Sequence, residues 1–210
     1  MKGERCPASR YEIRLAGEGG QGLILAGIIL AEAAALYEGC NVVQTQAYGP
    51  EARGGASKAE IILSKGPIYY PKVLLADLFL AMSQQAFDKY CYEVKEDGLI
   101  VVDSTKVGRV YTSRAYQVPI TARAVETTGT PVTANLFALG LIMGLSKAVS
   151  REALEQAVAA RVPPATREAN LKALAFGFAE AERVAAEQEK ERKSPRLDDW
   201  YKEMAPRRLE

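Results

Sequence analysis

Short apolar stretches separated by glycine- or proline-marked turns fill the first half of the chain, and apolar positions at helical spacing dominate the second. Tyr11–Ala16 predicts a strand that runs directly into a glycine-rich turn at 17–22. The following LILAGIILAEAAAL predicts a helix from Gly20 or Gln21 to Tyr37, apolar on most faces and therefore buried. Asn41–Thr45 predicts a second strand, entered after Gly39, and Ser57–Ser64 a third, with Ala59, Ile61 and Leu63 in partial alternation and Gly66-Pro67 closing it. Leu78–Met82 is wholly apolar, as expected in the middle of a parallel sheet. Gln84–Lys95 predicts a helix with Phe87, Tyr90, Cys91 and Val94 on one stripe, and 98–103 predicts another strand, with Asp103 where strand meets loop. Strands alternating with helices imply right-handed βαβ units in a mainly parallel sheet covered by helices.

From residue 121 onward the pattern is helical. Thr121–Thr128 predicts a short helix and Thr133–Leu145 a largely buried one. Ser150 is placed to cap Arg151–Arg161, with Glu152 in the first turn where the helix dipole favours it. Pro163-Pro164 interrupts the chain, and Thr166 is read as the cap of a long helix from Arg167 whose apolar face is Leu171, Leu174, Ala175 and Phe178. Charge accumulates after Glu180, and Glu187–Lys193 reads as a solvated helix end. Residues 1–186 are accordingly read as one α/β domain. Residues 187–210 are read as a charged tail in which Trp200 and Tyr201 mark a candidate partner-docking segment.

A length of 210 residues with 48% hydrophobic and 25% charged positions suits an ordinary globular protein with a real core. The formal net charge of +1 gives no field to hold nucleic acid or an anionic membrane. No apolar run is long enough to span a bilayer, and MKGERCPASR lacks the apolar segment of a signal peptide, so a cytoplasmic protein is expected. Cys6, Cys40 and Cys91 form no C-x-x-C pair, which argues against a disulfide framework and against a zinc or iron–sulfur site of the chain's own. Cys91 reads as a buried thiol. The chain has no histidine, which removes the commonest general base and metal ligand and every Ser–His or Cys–His nucleophile.

The turn Gly17-Glu18-Gly19-Gly20-Gln21-Gly22 has the G-x-G-x-x-G pattern, with glycines that let backbone N–H groups approach a phosphate at a helix N-terminus. The dinucleotide form of this pattern needs an acidic residue about 20 positions on, at the end of the second strand. That strand ends in Gln44-Thr45-Gln46; Glu38 precedes it, and no arginine follows before Arg53. The turn is therefore read as a phosphate cradle, with a tight turn that merely permits close packing as the alternative. The loop Tyr48–Gly55 follows a strand's C-terminal end, the edge where open α/β sheets bind ligands. It offers Tyr48, Glu51, Arg53 and Gly54, of which Arg53 suits a carboxylate or phosphate, though Glu51 and Arg53 could equally pair on the surface. Tyr69-Tyr70-Pro71-Lys72 is a weaker binding signal. Asn135, entering an apolar helix, must find hydrogen-bond partners, either in the structure or in a ligand. There is no Walker-type motif, thiamine-type G-D-G stretch or cysteine cluster, which suits one part of a larger machine.

GEGGQGLILAGIILAEAAAL, VVQTQAYGPEARGGASKAEIILS, YYPKVLLADLFLAMSQQAFDKY, GLIVVDS and ANLFALG together resemble the γ subunit of 2-oxoacid:ferredoxin oxidoreductases, over about Tyr11–Phe178. TQAYGPEARGGAS is the most specific part, and the 2-oxoglutarate branch is the most similar. The resemblance implies a Rossmann-like α/β fold with a helical C-terminal part. It also implies a complex that converts 2-oxoacid, coenzyme A and oxidised ferredoxin to acyl-CoA, CO2 and reduced ferredoxin. Thiamine diphosphate, Mg and iron–sulfur clusters are then expected on alpha, beta or delta partner subunits, which also meet ferredoxin. No catalytic residue and no metal site are expected in this chain. Coenzyme A phosphates are expected at Gly17, Gly19, Gly20, Gln21 and Gly22, with Tyr48, Glu51, Arg53 and Gly54 near the acyl-transfer site. Alternative readings are the small subunit of indolepyruvate oxidoreductase, a stand-alone NAD(P)-binding oxidoreductase, and a scaffolding module whose glycine turn is only structural.

Overall fold

A computed structural model describes residues 6–47 and 56–193, with side chains to residue 189. Six strands form one sheet in the order β2-β3-β1-β4-β5-β6: β1 (Tyr11–Glu18), β2 (Asn41–Ala47), β3 (Ala56–Ser64), β4 (Ala76–Ala81), β5 (Val94–Asp103) and β6 (Ala115–Val118). The β1–β4, β4–β5 and β5–β6 pairings are parallel, with Leu15 opposite Leu80 and Leu80 opposite Val101. In contrast, β3 lies antiparallel between β1 and β2. The sheet is thus mostly parallel as expected, with an antiparallel wing. Partial alternation in β3 carried no information about its direction.

The helices are α1 (Leu23–Glu32, continued by a π-helical turn at Ala33–Tyr37), α2 (Gln84–Tyr90), α3 (Ile120–Thr128), α4 (Ala134–Ser146), α5 (Arg151–Arg161) and α6 (Pro164–Lys193). One face of the sheet, presenting Ile13, Leu15, Leu78 and Leu80, packs against α1 and α3–α6 around the fully buried Phe137 and Leu139 of α4. The other face carries α2 and loops over Phe79, Phe87 and Val102. Its polar β1 positions are engaged as well. Arg14, almost completely buried, bonds Glu60 Oε1 at 2.8 Å and Glu93 Oε2 at 2.7 Å and stacks over Tyr90.

Several local expectations change. The helix read over 84–95 ends at Tyr90, because Val94 is taken into β5 opposite Ala76 despite fitting the helical stripe. Cys91 therefore sits at the helix end, free and only partly buried. Ser150 caps α5 as expected, accepting from Ala153 N. Thr166 does not cap α6. The helix starts at Pro164, whose missing N–H is harmless in the first turn, and Thr166 Oγ1 bonds Pro163 O instead. β6 was not visible in the pattern, being only four residues long. Contrary to the reading of three independent cysteines, Cys6 and Cys40 form a disulfide with Cα atoms 5.5 Å apart. The separation of 34 residues hid this, since only the fold brings the N-terminal segment to the end of the π turn. Among the described residues, no helix is long and apolar enough to cross a membrane. Trp200 and Tyr201 lie outside the described residues.

Candidate functional site

The C-terminal ends of the parallel strands share one edge of the sheet, and the chain leaves that edge in opposite directions after β1 and β4. Ligands of open α/β sheets bind at such a divergence. The turn 17–22 occupies it. At Gly17, a Cβ would sit 2.2 Å from Gln21 Oε1 and 3.0 Å from Met82 Cβ, so β1 and β4 meet without side-chain separation. Gly22 opens α1 in the left-handed region (φ 73°), which excludes most side chains, and its carbonyl accepts from Asn135 Nδ2 at 3.1 Å. Asn135 Oδ1 in turn accepts from Leu136 N at 2.9 Å. Both ends of this buried amide are used inside the protein, which decides between its two readings: Asn135 ties α4 to the turn.

Gln21 is likewise committed. Its Oε1 accepts from Glu18 N at 2.7 Å and its Nε2 donates to Met82 O at 2.8 Å. It braces the bend and does not present its amide outward. Gly19 and Gly20 behave differently, since an added Cβ meets nothing within 4 Å at either. The face of the turn is therefore open. Among the described residues, no side chain caps α1 and no acidic residue occupies its first turn, where the N–H groups and the positive dipole end favour an anion.

Two hollows flank the turn. One of about 250 Å³ is lined by Glu18, Gly20, Gln21, Lys106, Thr121 and Val132, among others. The second, about 210 Å³, runs between Gly19, Gly20, Gly22, Ile24 and Ser57. Lys106 was missed in the sequence. It is exposed and makes no ion pair with any described residue. It is brought there by Asp103, which is fully buried at the end of β5. The Asp103 carbonyl accepts from Lys106 N at 2.9 Å, and its carboxylate accepts from Thr105 N, Thr121 N and Thr121 Oγ1, fixing the loop and the start of α3 together. A carboxylate at the end of an apolar strand was the only available signal. An anionic guest in the first hollow would meet Lys106, with the exposed Glu18 carboxylate opposing it, and one in the second would meet the start of α1.

Tyr48, Glu51, Arg53 and Gly54 lie outside the described residues. The strand ends that carry their loop are in place: Ala56 stands opposite Glu18, and Ala47 opposite Lys58. Ser57 Oγ donates to Gly17 O at 3.3 Å, so the start of β3 borders the turn. Glu38, which stood near the dinucleotide spacing, is at the opposite edge of the sheet and accepts from Ser150 N at 2.7 Å. No group of three or more His, Cys, Asp or Glu side chains able to hold a metal ion occurs among the described residues.

These features define an α/β fold with an open glycine-rich turn at its sheet edge, and the family follows from comparison: the chain belongs to the pyruvate ferredoxin/flavodoxin oxidoreductase family, whose model matches residues 12–180. It is 47% identical to the 2-oxoglutarate synthase subunit KorC of Methanocaldococcus jannaschii, over 80% of this chain and 92% of that protein. The crystal structure of the γ subunit of a keto/oxoacid ferredoxin oxidoreductase from Geobacter sulfurreducens superposes with a TM-score of 0.76 at 46% identity, covering 84% of this chain and 99% of that one. The fold also recurs, at 24% identity and a TM-score of 0.74, in 31% of a chain of the 2-oxoglutarate:ferredoxin oxidoreductase of Magnetococcus marinus. The resemblance read from the sequence is confirmed at the level of family and fold.

Proposed function

We propose that this chain is the γ subunit of a thiamine diphosphate-dependent 2-oxoglutarate:ferredoxin oxidoreductase, where it binds coenzyme A phosphates at the turn 17–22 and closes the site over partner subunits. The reaction consumes 2-oxoacid, coenzyme A and oxidised ferredoxin and yields acyl-CoA, CO2 and reduced ferredoxin. The KorC relatives support the substrate class, and the M. marinus enzyme was solved with 2-oxoglutarate, coenzyme A and succinyl-CoA bound. The single observation that carries the coenzyme A reading is the open, uncapped turn, where Gly20 lines two hollows, one shared with Lys106 and the other with Gly19 and the start of α1.

Within this reading the residues divide their work. Gly19, Gly20 and the α1 N-terminus take phosphate through backbone N–H groups. Lys106 supplies the balancing charge, while Gln21, Gly17 and Gly22 hold the bend in shape. Tyr48, Glu51, Arg53 and Gly54 act at the junction with the partner subunits, near acyl transfer. Thiamine diphosphate bound on the alpha and beta partners would supply the decarboxylating chemistry, and iron–sulfur clusters on beta or delta chains would supply the electron path to ferredoxin. The loop 69–75 suits a partner contact: Arg10 holds it through Tyr70 O and Lys72 O, both at 2.6 Å, while Tyr69 is 90% exposed. Residues 1–186 act as the one working domain in a cytoplasmic complex.

Gly19→Val tests the cradle. The position is not in the left-handed region and has free space around it, so the fold tolerates the side chain, which blocks the approach of a phosphate. In the assembled complex KM for coenzyme A should rise at least about tenfold, the equivalent of one charge-assisted contact, while KM for 2-oxoglutarate holds. Unchanged coenzyme A kinetics would remove the assignment.

A further inference from the structure

Gly20 stands between two hollows whose chemistries differ. The hollow beside Gly19, Gly22 and Ile24 is lined by the start of α1 and by no charged side chain. The other brings one cation, Lys106, together with the apolar Met82, Pro131 and Val132. Glu18 lines the same hollow, so its two charges cancel and a simple anion gains little there. A guest held in this hollow must pair with the lysine and gain from apolar contact as well.

Both walls are built for such a guest. Val132 is 77% exposed, yet its turn is firmly held. Thr130 Oγ1 accepts from Val132 N at 3.3 Å, Thr133 Oγ1 donates to Thr130 O at 3.3 Å, and the Thr128 and Thr133 hydroxyls lie 2.7 Å apart. On the opposite wall, the buried Asp103 fixes Thr121 and the loop of Lys106. Lys106 itself makes no ion pair with any described residue, so its ammonium is unspent. The backbone of each wall is thus set before a guest arrives, which lowers the ordering cost of binding.

Coenzyme A carries anionic groups at two places, a 5′-diphosphate and a 3′-phosphate, on one ribose that also bears adenine. Two hollows meeting at Gly20 match that layout. Lys106 lines only the hollow away from the start of α1, so it is not the partner of a diphosphate seated on the helix. Resting on the reading that the diphosphate occupies the glycine turn, we propose that the Lys106 hollow takes the 3′-phosphoadenosine end of coenzyme A. Lys106 pairs with the 3′-phosphate as a point charge, and Val132 and Pro131 cover the adenine ring. The chain then distinguishes coenzyme A from its dephospho form.

Equilibrium binding of coenzyme A and of dephospho-coenzyme A to the assembled complex separates these roles. The native complex should hold coenzyme A at least about tenfold tighter than the dephospho form, the range of one charge-assisted contact. Lys106→Ala should bring that ratio close to one by weakening coenzyme A alone, and Lys106→Arg should keep most of it. Val132→Asn should weaken both forms about fivefold, as expected for a partly covered valine, and leave the ratio unchanged. Gly19→Val should weaken both forms alike. Lys106 and Val132 are exposed, and size-exclusion chromatography checks that each variant complex assembles. A native complex indifferent to the 3′-phosphate, a preference that survives Lys106→Ala, or an equal loss of both forms in that variant would overturn the role of Lys106, even with the glycine site upheld by Gly19→Val. Full affinity in Val132→Asn would overturn the placement of adenine. Native affinity in every variant would remove the glycine-turn reading and this proposal together.

Discussion

Gln21 and Asn135 are polar side chains beside a candidate phosphate site, yet each spends both ends of its amide on the protein. Gln21 joins Glu18 N to Met82 O, and Asn135 joins Leu136 N to Gly22 O. In the proposed site the exposed glycines carry the binding surface, and the amides keep it in shape. Asp103 has the same supporting role for Lys106 and Thr121. Tyr11 gives a residue-scale prediction about pH. Burial, reinforced by the negative charge of Asp77, pushes its phenol up to about 12 from 10.0. The folded state therefore holds the proton more tightly than the unfolded one. Its contribution is complete below pH 10.0 and is lost as pH rises toward 12. Denaturant titrations between those pH values should show stability falling steeply in the native sequence and less steeply in Tyr11→Phe. Equal slopes would show that Tyr11 is not the group responsible.

At the scale of elements, α4 and α6 cross backbone to backbone. A Cβ at Gly177 would stand 2.1 Å from Phe137 O, and one at Gly140 2.2 Å from Leu174 O. These are backbone atoms, which cannot swing aside. Gly177→Ala should therefore cost about 1–3 kcal/mol, the usual range for an overpacked core, despite the gain in helix propensity. A melting temperature equal to that of the native protein would contradict the close crossing. The Cys6–Cys40 bridge closes a loop of 34 residues, a size that corresponds to about 3–4 kcal/mol by chain entropy. Denatured protein kept from reductant should titrate with one free thiol, Cys91, and three thiols would show the bridge absent.

The same elements show what could be read beforehand. Strong local signals were legible, among them the glycine turn, the wholly apolar strand β4 and the Ser150 cap. Features set by distant partners were not. Val94 fits a helical stripe but pairs with Ala76, β3 runs antiparallel between its neighbours, and Cys6 meets Cys40 across the fold. Of the site, the glycines were visible because backbone geometry restricts the residue type. Lys106 was not, because nothing local marks a surface lysine that a buried carboxylate carries to a ligand edge.

For the whole molecule, the sheet places its parallel strand ends, the uncapped α1 and the loop of Lys106 on one edge, and Ala47 and Ala56, which flank residues 48–55, lie there too, Ala56 opposite Glu18. The proposed division of labour follows: a subunit without its own catalytic side chains holds the acyl acceptor, and its partners do the redox chemistry. The most direct test is equilibrium binding of coenzyme A to the assembled complex, comparing the native γ subunit with Gly19→Val and Lys106→Ala. The expected result is affinity at least about tenfold weaker in each variant, with the complex still assembled. Native affinity in both variants would contradict the placement of coenzyme A at this turn.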